Sequence, residues 1–238
     1  MESSKMFLFG GDKPWNPLDW TATDDRVRGG SSVSYLDCLA ADPIARFHGN
    51  LDIKTLGGAG FASQQTTGVN RTWDLSEYDG VELDIPKSDG KQYTLILKDE
   101  ILPKNPNNGR EQASISYEYD FKREIPEGSQ QTVKVFIPWS DLKATYRGRE
   151  KKDAPKLNVH NVRRVSLMMR SFFGTQEGPF NLSVRSISAV TKAAEKGELA
   201  GLPGVTEKQH MADGENKAFG SDHQDSAVDS VWRFCAIL

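Results

Sequence analysis

The sequence predicts an antiparallel β-sandwich. Three observations carry this. Roughly ten short segments repeat apolar residues with a period of two, turn residues separate them at close spacing, and no window has the 3.6-residue period of a long amphipathic helix. At 238 residues the chain is long enough for one sizeable core.

Taken in order, residues 7–9 read as a short edge strand, and a Pro-rich loop with Trp15 and Trp20 follows. Thr23-Asp-Asp-Arg-Val-Arg-Gly-Gly is a charged turn whose glycines are free to take positive φ. Residues 32–36 alternate through Val33 and Tyr35, and residues 45–53 through Phe47, Leu51 and Ile53. A glycine turn from Gly57 feeds the next strand. Residues 74–80 read as a one-turn helical connector ending on Gly80, and Val81, Leu83 and Ile85 then share one face. Residues 92–98 carry Tyr93, Leu95 and Leu97 on one face and Ile96 on the other, the pattern of a central strand. Two prolines and three asparagines within 102–110 predict a long mobile loop, after which Ala113, Ile115, Tyr117, Tyr119 and Phe121 alternate with polar residues.

Residues 132–149 are expected to lie at the centre of the fold. Val133, Val135 and Ile137 alternate, Pro138 stops the strand because it cannot donate to a ladder, and Ser140 caps a short turn that buries Trp139 or Leu142. Tyr146-Arg-Gly-Arg then reads as an exposed loop hinged at Gly148. Residues 162–170 and 180–190 complete the set. In the last segment Phe180, Leu182 and Val184 share one phase while Ile187 and Ala189 take the other, a slip that predicts a bulge near Arg185 and Ser186.

From about residue 191 the composition changes to Ala, Glu, Lys, Gly, Asp, Ser and Gln with almost no strand pattern. Such a segment cannot bury enough apolar surface to offset its ordering entropy. A domain over 1–190 and a flexible tail over 191–238 are expected, in keeping with a hydrophobic content of 37%. With 30 Lys+Arg against 33 Asp+Glu, the net charge of −3 implies no bulk attraction to nucleic acid. Cys38 and Cys235 lie near opposite ends, so a reducing compartment is expected rather than a disulfide. The N-terminal apolar run, Phe7-Leu-Phe, is too short for a secretory signal, and the arginines of a mitochondrial presequence are missing. The sequons at Asn70 and Asn181 then read as chance matches.

Catalytic signatures are scarce, and no enzyme, cofactor or metal is expected. Gly58-Ala-Gly-Phe-Ala-Ser lacks the third glycine of a dinucleotide loop and reads as a turn; no nucleophile elbow, P-loop or His-Glu-x-x-His occurs. His48 and His160 have no His or Cys at metal-ligand spacing. Asp24-Asp25 has the chemistry of a calcium ligand or an acid pair, but neighbours in a turn diverge, and a solvated loop is the expectation. Tyr93, Tyr117, Tyr119 and Trp139 are expected in the core, with a sugar-stacking platform as the alternative.

Several segments carry a resemblance. They are Asp25-Arg-Val-Arg-Gly-Gly-Ser-Ser, Phe47-His-Gly-Asn-Leu, Gly58-Ala-Gly-Phe-Ala-Ser, Asp74-Leu-Ser-Glu-Tyr-Asp-Gly-Val, Phe136-Ile-Pro-Trp-Ser-Asp-Leu, Tyr146-Arg-Gly-Arg and Gly178-Pro-Phe-Asn-Leu-Ser-Val-Arg-Ser-Ile. In this order, over residues 19–190, they resemble the NADH:ubiquinone oxidoreductase intermediate-associated protein 30 family; Arg28 stands where members often carry Met. The resemblance implies a galactose-binding-like jelly-roll sandwich. It also implies a non-enzymatic, chaperone-like assembly factor for unfolded or partly assembled protein, whose mitochondrial members help build respiratory complex I. On that reading, loops at one end of the sandwich hold the partner through Asp24, Asp25, Arg26, Arg28, Gly58, Phe61, Arg147 and Arg149. A carbohydrate-binding module on the same fold is the alternative.

Cys235-Ala-Ile-Leu fits a C-terminal prenylation box, and its Leu favours geranylgeranyl transfer. No polybasic run precedes it, since Asp222, Asp225 and Asp229 leave only Arg233. One lipid then gives reversible attachment, to which Trp232 and Phe234 add interfacial burial. This predicts a peripheral protein on a cytosol-facing membrane, with the mitochondrion as the alternative implied by the resemblance.

Overall fold

Strand alternation builds two antiparallel sheets around a shared core in the computed structural model, which describes residues 4–38, 43–125, 128–129 and 131–192. The prenylation box at Cys235 and all of the expected tail except Thr191 and Lys192 lie outside these residues.

The smaller sheet has the order β1 (Lys5–Gly10), β14 (Ser186–Val190), β6 (Gly80–Ile85) and β9 (Val133–Pro138). The larger runs β11 (Arg149–Glu150), β10 (Lys143–Tyr146), β8 (Ser116–Ile125), β7 (Lys87–Lys98), β12 (Arg164–Arg170), β5 (Phe61–Thr66) and β2 (Trp20–Ala22). Beside it, β13 (Gly178–Val184) joins β7 to β4 (Ala45–Leu51), which pairs with β3 (Val33–Cys38). Val81, Leu83 and Ile85 of β6 face Leu95 and Leu97 of β7, Leu167 and Met169 of β12 and Leu182 of β13 across one continuous core. Removing these apolar faces from water is the main drive to this arrangement.

Several expectations change. Residues 132–149 are not the centre: β9 is an edge strand, and β7 holds the central place its two apolar faces predict. Pro138 is the last residue of β9 and pairs with Gly80; on an edge its missing N–H costs no ladder bond. Ser140 caps nothing. It lies inside a 3-10 turn (Trp139–Asp141), its Oγ donates to Asp141 (3.0 Å), and Trp139 and Leu142 stay half-buried. Residues 74–80 form one hydrogen-bonded turn, Tyr78 N on Leu75 O at 3.1 Å, rather than a helical turn, with Asp74 Oδ1 accepting from Ser76 N (3.0 Å) and Ser76 Oγ (2.7 Å). In β3 the phase is reversed: Ser34 is buried and Tyr35 is exposed. The slip at Arg185 is where the chain leaves the larger sheet as β13 and enters the smaller as β14, a sheet switch rather than a bulge. The edge strand around Phe7–Phe9 is β1. It pairs with β14, and Ser4 N donates to Thr191 Oγ1 at 2.7 Å.

Candidate functional site

The Asp24-Asp25 turn folds inward. Asp25 is fully buried and opens a 3-10 turn (Asp25–Arg28) that ends on Gly29 in the left-handed region. Its Oδ1 accepts from Ser32 N (3.0 Å), and its Oδ2 from Ser32 Oγ (2.6 Å) and Phe61 N (3.0 Å). Asp24 Oδ1 accepts from Ser34 Oγ (2.5 Å) and Ser63 N (2.9 Å), and Oδ2 from Ser34 N (3.1 Å) and Arg26 Nη2 (3.0 Å). Burial of a carboxylate is tolerated only with such compensation. The expected solvated loop is therefore corrected: both aspartates are buried and tie the turn to β3 and β5. Gly30 makes room for Asp25, since a Cβ there would stand 2.3 Å from Asp25 Oδ1.

Around this node lies one end of the larger sheet. Arg28 is exposed and holds its guanidinium 5.4 Å from the centroid of the half-buried Phe61 ring. Ser171 N donates to Gly60 O (3.0 Å), which draws in the loop after β12 beside Gly58, itself at φ 97°. There Phe172 and Phe173 both take positive φ, 43° and 61°, a rare conformation for aromatic residues. Phe173 is 82% exposed and Val27 64%.

Arg147 and Arg149 are not at this end. Phe61 pairs with Arg170, whereas Thr145 pairs with Ser116 at the end marked by Lys98 and Arg164. The expected grouping of three loops is corrected: loops 24–30 and 57–61 meet, and 146–149 turns at the opposite end on the far edge. Arg147 (φ 53°) and Gly148 (φ 76°) make a two-residue hairpin turn there, with Arg147 over the Tyr146 ring at 5.4 Å.

The sugar-platform aromatics are dispersed. Tyr93 and Tyr117 are buried in the core, their hydroxyls donating to Asp89 Oδ1 (2.9 Å) and Pro155 O (3.2 Å). Burial raises both phenols, that of Tyr117 to about 12. Tyr119 is half-buried against the same core, and Trp139 follows the edge of the smaller sheet with Nε1 on Tyr78 O (2.6 Å). They share no exposed face.

The sequence pattern did not single out the second face of the larger sheet. Register places Glu118 and Asp120 of β8, Thr94, Ile96 and Lys98 of β7, Arg164, Ser166 and Arg170 of β12, and Gln65 of β5 together on the face turned away from the core. It is polar, yet Thr94, Glu118, Arg164, Ser166 and Gln65 are buried, and a buried polar face is the informative departure from ordinary surfaces. Arg170 reaches across β7. Its Nη1 donates to Glu118 Oε2 (2.7 Å) and its Nη2 to Asp120 Oδ1 (2.6 Å) and Oδ2 (2.8 Å), with the guanidinium 4.7 Å from the Phe172 ring centre. Thr145 Oγ1 donates to Glu118 Oε1 (2.7 Å) and Thr94 Oγ1 to Asp120 Oδ1 (2.6 Å). Farther along, Arg164 Nη1 (2.9 Å) and Gln65 Nε2 (3.3 Å) both donate to Glu111 Oε2, which straps the loop before β8 onto this face. Lys98 donates to Ser114 Oγ (3.3 Å); burial first, then the Arg164 charge, holds its amine below the usual lysine range. Among the described residues no group of three or more His, Cys, Asp and Glu is placed to hold a metal.

Known proteins match this architecture. A family 11 carbohydrate-binding module from Clostridium thermocellum, solved with a β-1,3-1,4-mixed-linked tetrasaccharide, has a TM-score of 0.50 at 13% identity, covering 79% of this chain and 95% of that one. The family 11 module of the cellulosomal cellulase Lic26A-Cel5E from the same organism gives 0.52 at 12% identity, covering 82% and 98%. At such identities the likeness is one of fold, a jelly-roll sandwich. A Schizosaccharomyces pombe protein described as Uncharacterized protein C9E9.15 is 41% identical over 233 residues, 97% of this chain and 99% of that one. Residues 7–184 match the family Complex I intermediate-associated protein 30, and the chain belongs to that family.

Proposed function

We propose that the protein is a non-enzymatic, chaperone-like binding module that holds a protein partner during assembly, with complex I intermediates the first candidates. The observation that carries this is the family match over residues 7–184, nearly the whole described domain. The family and the neighbours' fold are non-catalytic kinds of domain. The proposed contact is the end where Arg26, Arg28, Gly58 and Phe61 meet Val27 and Phe173, because exposed aromatic and arginine side chains dominate protein interfaces. Asp24 and Asp25 brace that end from within, and Arg147 with Arg149 offers a separate second contact. Crosslinked capture from mitochondria is the test. Wild type is expected to retain complex I subunits, and Arg28→Ala with Phe173→Ala to lose them about tenfold while the melting temperature holds. A wild-type capture without complex I subunits overturns that partner.

A second reading, carbohydrate binding, is favoured by the exposed Asp120 and the half-buried Arg170 beside the half-buried Phe172 ring. Retention on mixed-linkage β-glucan that Arg170→Ala abolishes would support it; no retention removes it. Membrane attachment through Cys235, on a cytosol-facing membrane rather than in the mitochondrion, is a separate proposal, for a chain ending at Leu238. Intact mass is expected to show prenyl addition with loss of Ala236-Ile-Leu, and Cys235→Ser to release the protein from membranes. An unmodified Cys235 removes that proposal.

A further inference from the structure

On the outer side of β4 and β13, away from the face described above, a cavity of about 440 Å³ is lined by Arg46, His48, Gly49, Asp89, Lys91, Pro179, Phe180 and Asn181. The sheet register builds it. Arg46 and His48 are two residues apart on β4 and project from one face, and His48 lies opposite Asn181 of β13. Gly49 lies between β3 and β13 because no larger residue fits: a Cβ there would stand 2.0 Å from Val33 O and 2.9 Å from the Phe180 ring. Lys91 and Asp89 come from the irregular stretch of β7 between Asp89 and Gln92.

The donors and acceptors in this cavity are unevenly matched. Asp89, the carboxylate in the lining, is already committed inward: Oδ1 accepts from Tyr93 OH (2.9 Å) and Lys91 N (3.0 Å), and Oδ2 from Asn181 N (2.9 Å). Lys91 Nζ makes a long ion pair with Asp89 Oδ2, at 3.9 Å. Asp37 is taken up by His48 Nε2 at 2.8 Å, and the imidazole is further held by stacking on Tyr35, 5.4 Å between centroids. The Arg46 guanidinium and the Asn181 side-chain amide have no hydrogen-bond or ion-pair partner among the described residues. A planar fork of donors, a point cation and an amide therefore line one cavity, with Asp37, half exposed and paired to His48 through Oδ2, opposite Arg46 in the register.

We propose that this cavity binds a tetrahedral oxoanion, the phosphoryl group of a small phosphate ester or of a lipid headgroup. Arg46 supplies the bidentate fork that matches two oxygens of such a group, Lys91 supplies charge without geometry, and Asn181 donates to a third oxygen. The site is independent of the partner surface at the other loops, so either proposal can fail alone.

The experiment is a titration of the full chain with inorganic phosphate, followed by backbone and arginine side-chain NMR at constant ionic strength, with chloride as the screening control. Saturable shifts confined to β4, β13 and the Lys91 stretch are expected. Arg46→Ala should weaken binding about tenfold or more, and Arg46→Lys should recover only part, because an ammonium cannot make the paired contact. Asn181→Ala serves as a second variant should Arg46→Ala disturb the sheet. Glycerol 3-phosphate and phosphatidylcholine vesicles with or without phosphatidic acid distinguish the sources: binding to the first alone marks a soluble ester, and Arg46-dependent binding to phosphatidic acid vesicles a headgroup. Non-saturating shifts spread over all basic residues, or saturable binding unchanged in Arg46→Ala and Asn181→Ala, overturn the proposal.

Discussion

Individual side chains decide more here than their sequence neighbourhood reveals. Asp24 and Asp25 read as a solvated turn because acidic pairs beside glycines usually are. What reverses the reading is the arrival of Ser34, Phe61 and Ser63 from two other strands, with Ser32 from the loop before β3, contacts with no signature in the turn itself. The glycines of the family segments did hold a clue, since Gly30 and Gly60 are small where Asp25 needs space. Asp25→Ala strands the amides of Ser32 and Phe61 and is expected to cost about 3 kcal/mol or more, lowering the melting temperature on the order of 10 °C. Asp25→Asn keeps some acceptor capacity and should fall between. A variant as stable as wild type would show that the node is dispensable. Lys98 gives a pH test. Its amine titrates below 10.5 in the folded chain, so the unfolded chain binds more protons between the two values, and stability rises with pH across that window. Above about pH 10 the raised phenols of Tyr93 and Tyr117 reverse the slope, because the folded chain then holds the extra protons. Denaturant titrations on the alkaline side, up to about pH 10, should show the rise in wild type and its loss in Lys98→Met; parallel profiles would contradict the assignment.

Strands were legible to the extent that their two faces differ. Residues 81–85, 92–98, 162–170 and 180–190 announced themselves because one phase is apolar, and even the phase slip at Arg185 marked a real event, though a change of sheet rather than a bulge. Neighbourhood was not legible. Nothing within 132–138 says that β9 lies at an edge, and nothing within β8 says that Glu118 and Asp120 will meet Arg170. The hairpin at Tyr146 lies between these cases. Its Gly148 signals a turn, but Arg147 in the left-handed region is a residue the turn tolerates rather than prefers. Arg147→Asn is expected to stabilise by up to about 1 kcal/mol, less the stacking lost on Tyr146, and Gly148→Ala to destabilise by about 1 kcal/mol. Urea midpoints with unchanged slopes would check both; a destabilised Arg147→Asn would mean that the stack outweighs the turn.

At the scale of the whole molecule, the first and last described strands are partners, and we expect the domain to close at about residue 192. A chain truncated after Lys192 is expected to melt within a few degrees of full length; failure to fold would extend the domain beyond that point. The same pairing has a consequence in time. β14 lies between β1 and β6, so the smaller sheet stays incomplete until residue 190 has been made, although both flanking strands exist once residue 85 has emerged. At ribosomal speed that interval lasts roughly 5 to 20 s, during which Val81, Leu83 and Ile85 border an unpaired edge that invites association with other nascent chains. Joining Ser4 to Lys192 and opening the chain between Arg147 and Gly148 would place β14 and β1 side by side in the order of synthesis. That rearranged chain is expected to accumulate in soluble form more readily than the natural order at equal equilibrium stability, because its edge closes while translation is still under way.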